Sequence, residues 1–381
     1  MEALRTHPPR TGGPARRRRA AAVVGPALVL AGCSIVATPG SAPVTDGPLA
    51  PVQPTGYVVC PTAVTPVELD SHTPEAPIPL PVEGTPPLGS FAMTTSPDGR
   101  WAYVVTQSTL SGGVPRAVLV PIDLATQRAE SPIVLPGGGG THAVAVTHDG
   151  RTVLAGVGTT IVPVDVATRA VGTPLGLGTG RTVFGMALSP TSSTLYVLVP
   201  GGVVPVDTTS ARSGPEIMTG LVVSSVSSPH GIVVSADGST VYVVGQGGSD
   251  YGGRLLPITA ATGALGTVTG FDQFGISDPA AVALTADGAT LLVADSADNW
   301  VVPVPTAGPP MPLAPVRLPA GGGAAATGTD HPSDIVVGPG DTGAFVVAGL
   351  DSVLPYSPTT GAFGRAVRVC SGATSMAVPG A

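Results

Sequence analysis

Ile232-Val233-Val234-Ser235-Ala236-Asp237-Gly238-Ser239-Thr240-Val241-Tyr242-Val243-Val244 reads as two apolar strands around a tight turn. Asp-Gly between β-branched runs is a hairpin signal, because glycine accepts the left-handed backbone such turns demand. The pattern recurs at Ser96-Pro97-Asp98-Gly99-Arg100, Thr147-His148-Asp149-Gly150-Arg151 and Thr285-Ala286-Asp287-Gly288-Ala289. A degenerate copy stands at Ser189-Pro190-Thr191-Ser192-Ser193, and a weaker one at Gly338-Pro339-Gly340-Asp341. Five residues beyond each turn position lies a large residue: Tyr103, Leu154, Tyr196, Tyr242, Leu292 or Phe345. Each is expected to anchor its repeat in the core.

A second motif interleaves with the first. Pro66, Pro121, Pro163, Pro205, Pro257, Pro303 and Pro355 each sit between aliphatic or hydroxylated neighbours, as in Val162-Pro163-Val164. Their spacing is 55, 42, 42, 52, 46 and 52 residues. Seven units of this length, with about four short strands each, predict an all-β chain folded as a seven-bladed β-propeller. Composition agrees. Glycine (53) and proline (43) make a quarter of the 381 residues, and 43% of residues are hydrophobic. The chain can therefore bury a core, yet it lacks the Leu/Glu/Lys/Gln runs of long helices. A proline inside the third strand cannot donate to a neighbour, so it is expected at a strand start or a bulge.

These repeats resemble the bacterial β-propeller family with YVTN-type (YncE-like) repeats, over residues 57–381. The resemblance implies the fold and says little about activity, because propellers host unrelated functions.

The two ends complete each other. Ser375-Met376-Ala377-Val378-Pro379-Gly380-Ala381 matches an innermost strand and its turn, and Tyr57-Val58-Val59-Cys60 matches a second strand with none before it. The seventh blade is therefore expected to take its inner strand from the C-terminus and its outer strands from the N-terminus, the fourth near Ala76 to Val82. Cys60 and Cys370 then fall in loops of one blade, on one face, placed for a disulfide.

The N-terminus reads as an address. Arg16 to Arg19 precede the apolar run Ala20 to Leu30, which is too short to span a bilayer and fits a signal-peptide core. The run ends Leu30-Ala31-Gly32-Cys33, which resembles a bacterial lipobox. Residues 1–32 are expected to be a lipoprotein signal peptide, Cys33 the lipidated residue, and residues 33–56 a Pro/Ser/Gly-rich tether. The three cysteines fit this reading: with Cys33 lipidated, Cys60 and Cys370 remain as one pair in a compartment that permits oxidation. The expected location is the extracytoplasmic side of the cell membrane. Losing residues 1–32 removes six arginines and one glutamate from a chain of net charge −7, leaving −12. An acidic chain with scattered arginines has no footprint for nucleic acid or anionic lipid. The membrane is then reached through lipid alone, and a monomer is expected.

No catalytic motif stands out: no H-E-x-x-H, no C-x-x-C-H, no G-x-S-x-G and no phosphate loop. No cofactor is evident. Repeat length varies at Gln107–Arg116, Gly245–Arg254, Gly270–Asp278 and Ala320–Asp330, connections that project on one face around the channel. That face is expected to gather Arg116, Arg254, Asp278, Asp295, Asp298, Tyr251, Phe271, Phe274 and Trp300. His142 and His230 stand seven residues before their turn aspartates, at the mouth of an inner strand, and His331 two residues further out. Such histidines can bind metal or act as bases, and they can equally cap strands. Two functions follow from this face. One is a binding or scaffold module for an envelope protein or a small ligand. The alternative is a lactonase-like hydrolase at the channel mouth.

Overall fold

The computed structural model describes residues 54–84, 91–109, 114–138, 140–223, 231–248, 251–308, 311–319, 331–340, 342–349 and 351–380. Residues 1–53, and with them Cys33, the signal segment and nearly all of the tether, lie outside the described residues. So do His230 and the whole Ala320–Asp330 connection.

Among the described residues there are seven antiparallel sheets of four or five strands. Their innermost strands are Ala92–Thr95, Thr141–Val146, Gly185–Leu188, Ile232–Val234, Pro279–Leu284, Pro332–Val337 and Ser375–Ala377. We number the blades one to seven in that order. Each inner strand contacts the inner strands of both neighbouring blades, so the sheets close a ring. Blade seven is the shared one. Ser375–Ala377 pairs with Thr55–Val59, which pairs with Ala63–Glu68. The sheet thus begins two residues before Tyr57. Cys60 and Cys370 are disulfide-bonded, with their Cα atoms 6.3 Å apart.

The core is seven wedges, one per seam. Val153, Ala155, Val162 and Val164 of blade two pack against Tyr103, Val105, Ala117 and Leu119 of blade one. The closing seams are built alike. Tyr57, Val59, Val64 and Ala377 meet Phe91, Met93, Val104 and Val120 of blade one, while Val58, Leu69 and Met376 meet Phe345, Val347 and Val353 of blade six. Alternation cannot bury both faces of a strand, which is why the second and third strands centre on consecutive apolar residues such as Val197-Leu198-Val199 and Leu291-Leu292-Val293.

The Ser/Thr-x-Asp-Gly turns are stapled identically. In blade four Ser235 Oγ donates to Asp237 Oδ1 (2.6 Å), which also accepts the Ser239 amide (2.9 Å), while Gly238 takes φ +71°. These bonds hold Asp98, Asp149, Asp237 and Asp287 below the usual carboxylate range, with Asp237 down to about 2.

The prolines correct an expectation. They occupy neither strand starts nor bulges. Each sits mid-strand, directly opposite its blade's anchor: Pro66 faces Tyr57, Pro121 Tyr103, Pro163 Leu154, Pro205 Tyr196, Pro257 Tyr242, Pro303 Leu292 and Pro355 Phe345. The carbonyls of Pro163, Pro205, Pro257 and Pro355 point outward and accept amides of Gly172, Gly214, Gly266 and Gly364. A proline nitrogen on that side faces the outer strand, and there the outer strand breaks. In blade seven it is Thr73–Pro74 and Ile78–Pro79, not one strand from Ala76 to Val82. The lost donor therefore costs the inner ladder nothing. At the four glycines a Cβ would lie 2.9–3.2 Å from the proline ring, so the ring packs closely against the outer strand there. Of the anchors, Tyr242 is only half-buried, whereas the other six are buried.

Candidate functional site

Inner-to-second and third-to-outer turns lie at one end of an antiparallel blade. Second-to-third turns and blade-to-blade connections lie at the other, the long-loop face. Part of the extra length on that face is strand. Blades one and four extend their second strands to eight residues, Trp101–Ser108 and Thr240–Gly247, where blades two, three and five use six. Register continues to Ser108–Arg116 and Gln246–Gly253. Tyr251 stands above the blade-four hairpin, 66% exposed and at φ +54°.

The connection from blade four to blade five is a folded element. Phe271 and Ile276 are buried in the seam, and Asp272–Phe274 form a 3-10 turn closed by Gly275 at φ +70°. Arg254 Nη1 donates to Asp272 Oδ2 (2.8 Å) and to the Gly253 carbonyl (3.0 Å).

From there a hydrogen-bonded network crosses three blades. Gln246 of blade four donates its amide to Asp278 Oδ1 (3.1 Å). Ser296 Oγ donates to Asp278 Oδ2 (2.5 Å). Asp295 ends the second strand of blade five and is wholly buried. Its two oxygens accept the amides of Asp278 (2.8 Å) and Asp298 (2.8 Å), and Ser277 Oγ reaches Asp298 Oδ2 at 3.5 Å. Nδ1 of His331, from blade six, donates to the Ser296 carbonyl. Burial pushes the Asp295 carboxyl up to about 6; the two amides oppose the rise, and the charges of Asp298 and Asp278 add to it.

The structure thus brings together Asp278, Asp295, Asp298 and His331, and beside them Gln246 and Ser296, which the sequence reading did not single out. Trp300 is half-buried, packed in the seam of blades four and five under the Arg317 guanidinium, 5.7 Å from the ring centroid. Arg116 is exposed at the start of blade one's third strand and does not join this network among the described residues. His142 falls where the inner strand of blade two slips register between Thr141 and Ala143, a bulge repeated between Pro279 and Ala281 and between Pro332 and Asp334. The side chain of His142 lies outside the described residues. Among the described residues no three His, Cys, Asp or Glu side chains are grouped to hold a metal ion.

Asp334 is the other residue missed. It is wholly buried in the inner strand of blade six, where the matching positions are Ala92, Ala143, Gly185, Gly231, Ala281 and Ser375. Its Oδ2 accepts the amide of Met376 (2.9 Å), which ties blade six to the closing strand. A lone acid at a position of small residues was the available signal.

Chemically, the blade-four-to-six network is a preset polar platform. Both oxygens of Asp278 and of Asp295 accept hydrogen bonds, so the network holds loops in place, and the one close pairing of a hydroxyl with a carboxylate in it is Ser296 with Asp278.

No protein-family model and no curated protein sequence matches the chain. Solved structures do. Kuenenia stuttgartiensis hydrazine synthase is 18% identical with a TM-score of 0.58, covering 77% of this chain and 90% of that one. A functionally unknown protein from Desulfotomaculum acetoxidans is 15% identical with a TM-score of 0.61, covering 86% and 99%. Dihydro-heme d1 dehydrogenase NirN in complex with DHE is 16% identical with a TM-score of 0.55, covering 82% and 63%. At these identities the likeness extends to the fold, and the fold is that of a seven-bladed β-propeller.

Proposed function

We propose that the chain is an exported lipoprotein of the YVTN-type propeller class, held to the extracytoplasmic side of the cell membrane by lipid on Cys33. It works there as a binding or scaffold module through the long-loop face of blades four to six. The observation that carries this reading is the network of Gln246, Asp278, Asp295, Ser296, Asp298 and His331. It fixes the loops of three blades before any partner arrives, and preorganisation of this kind lowers the entropic cost of binding. The strongly exposed Tyr251 beside it is an aromatic residue of the type enriched in binding interfaces. A lactonase-like hydrolase finds less support, because Asp295 is wholly buried with its oxygens on two backbone amides, and among the described residues no three His, Cys, Asp or Glu side chains are grouped to hold a metal ion.

The test is site-specific photo-cross-linking in cells, with the reactive residue at position 251 or at the exposed outer-strand position 213, in chains with Cys33 or Cys33→Ala. One discrete adduct is expected from position 251 in the membrane fraction, lost with Cys33→Ala, and none from position 213. Equal adducts from both positions, or membrane partitioning indifferent to Cys33, contradict the reading.

A further inference from the structure

Seven equivalent seams supply six internal controls for any one of them, and the seam between blades five and six departs from the template three times. First, the third-strand residue after the proline is Val67, Ile122, Val164, Val206, Ile258 or Val304 in the other blades, and Tyr356 in blade six. Second, the Ser/Thr-x-Asp staple of blades one, two, four and five is replaced by Gly338-Pro339-Gly340, which has no hydroxyl or carboxylate to make it. Gly343, at φ +88°, lies against this strand so closely that a Cβ there would be 2.9 Å from the Tyr356 carbonyl. Third, the outer strand presents Phe363, whose ring lies 4.9 Å from that of Tyr356.

The three departures meet at one cavity of about 700 Å³. Small-molecule sites span roughly 300–1,000 Å³. Tyr356 lines it, is 2% exposed, and has a buried hydroxyl with no hydrogen-bond partner. Burying an unpartnered hydroxyl opposes folding, and the aliphatic residue of the other blades avoids that cost. A template broken against its own stability marks a place where folding is not the only constraint.

The wall defines the ligand. Apolar faces of Tyr356, Phe363 and Pro358 stand beside the hydroxyls of Thr290, Ser357 and Thr359. Among the described wall residues the one carboxylate is Asp287, whose Oδ1 is held by Thr285 and the Ala289 amide, leaving Oδ2 to accept from a ligand. Among the described wall residues there is no lysine or arginine, and His72 of blade seven is the one base. Asp287 disfavours a small anion, and a purely apolar molecule would strand the hydroxyls. We propose that the seam of blades five and six binds a neutral sugar ring, its C–H face on Phe363 and Pro358 and its hydroxyls on Asp287 and the Ser/Thr rim. The site lies on the turn face, opposite the long-loop platform, and does not depend on it.

The experiment is saturation-transfer NMR on the full-length protein in detergent, with the methyl glycosides of glucose, galactose, mannose and N-acetylglucosamine, and with linear oligosaccharides of the same sugars. At least one glycoside is expected to bind, and preference for the free glycoside or for the oligosaccharide tells a free sugar from a chain end. Asp287→Asn retains the Oδ1 staple and should weaken binding about tenfold, the loss expected of one charge-assisted hydrogen bond. Tyr356→Val, which restores the residue of the other blades, should weaken it as well. Asp237→Asn, the same change in the equivalent turn of blade four, should leave it unaltered. Absence of binding by every sugar, or binding indifferent to both seam variants, overturns the assignment.

Discussion

Six residues past the third-strand proline, in six of the blades, the backbone turns left-handed. His72 (φ +55°), Gln127 (+51°), Arg169 (+60°) and Ala211 (+52°) occupy the position in blades seven, one, two and three, whereas Gly263 and Gly361 occupy it in blades four and six. The left-handed conformation costs a residue with a Cβ about 1–2 kcal/mol, and glycine returns part of that gain through the entropy of the unfolded chain. Ala211 is exposed and its side chain has little to lose. Ala211→Gly is therefore expected to stabilise the protein by about 0.5–1 kcal/mol, read from urea unfolding. An unchanged or lowered midpoint would mean that the local backbone is not strained. The position was hidden in the sequence because four blades fill it with unrelated residues. The Asp-Gly turns were legible because there the left-handed residue is glycine each time.

At the scale of elements, the outer strand departs from expectation because a string of residues shows where pairing is lost but not which side of a strand loses it. The prolines were seen, yet only the register shows their missing donors aimed at an outer strand that is already broken. Likewise, Gly270–Asp278 reads as a connection of variable length on the long-loop face, and its Phe271 and Ile276 prove to be core. Asp278, Asp295 and Asp298 were named from the sequence, but their common purpose of fixing the blade-five loops appears only in three dimensions. That purpose has a pH signature. An unfolded aspartate titrates near 3.9, and Asp295 titrates near 6 when folded. The folded state thus holds the extra proton, so this contribution to stability is full below pH 4 and is lost as pH rises through 6. The loss is on the order of 3 kcal/mol. The turn aspartates with lowered values act in the opposite sense, below the ordinary carboxylate range. Urea midpoints should accordingly fall between pH 4 and 6 in the wild type, and the slope should vanish in Asp295→Asn. Parallel curves for the two proteins would remove Asp295 as the cause.

At the scale of the whole molecule, the ring needs every seam to be equivalent, including the two made by chain ends more than 300 residues apart. The fold was legible here because seven copies of two motifs averaged out the degeneracy of any one, and because each end lacked what the other supplied. Three devices secure the closing blade: the strand ladder from Tyr57–Ala377 to Val59–Ser375, the bond from the Met376 amide to Asp334, and the Cys60–Cys370 disulfide. A propeller closed this way leaves no inner strand unpaired. The direct test is native-state hydrogen exchange followed by mass spectrometry on peptides covering 55–59 and 375–377, compared with the second strands of blades two and five. Exchange of all four segments at one slow rate, set by global unfolding, is the result expected of a closed ring. Exchange of 375–377 at the rate of an unpaired C-terminus, with the other blades still protected, would contradict it.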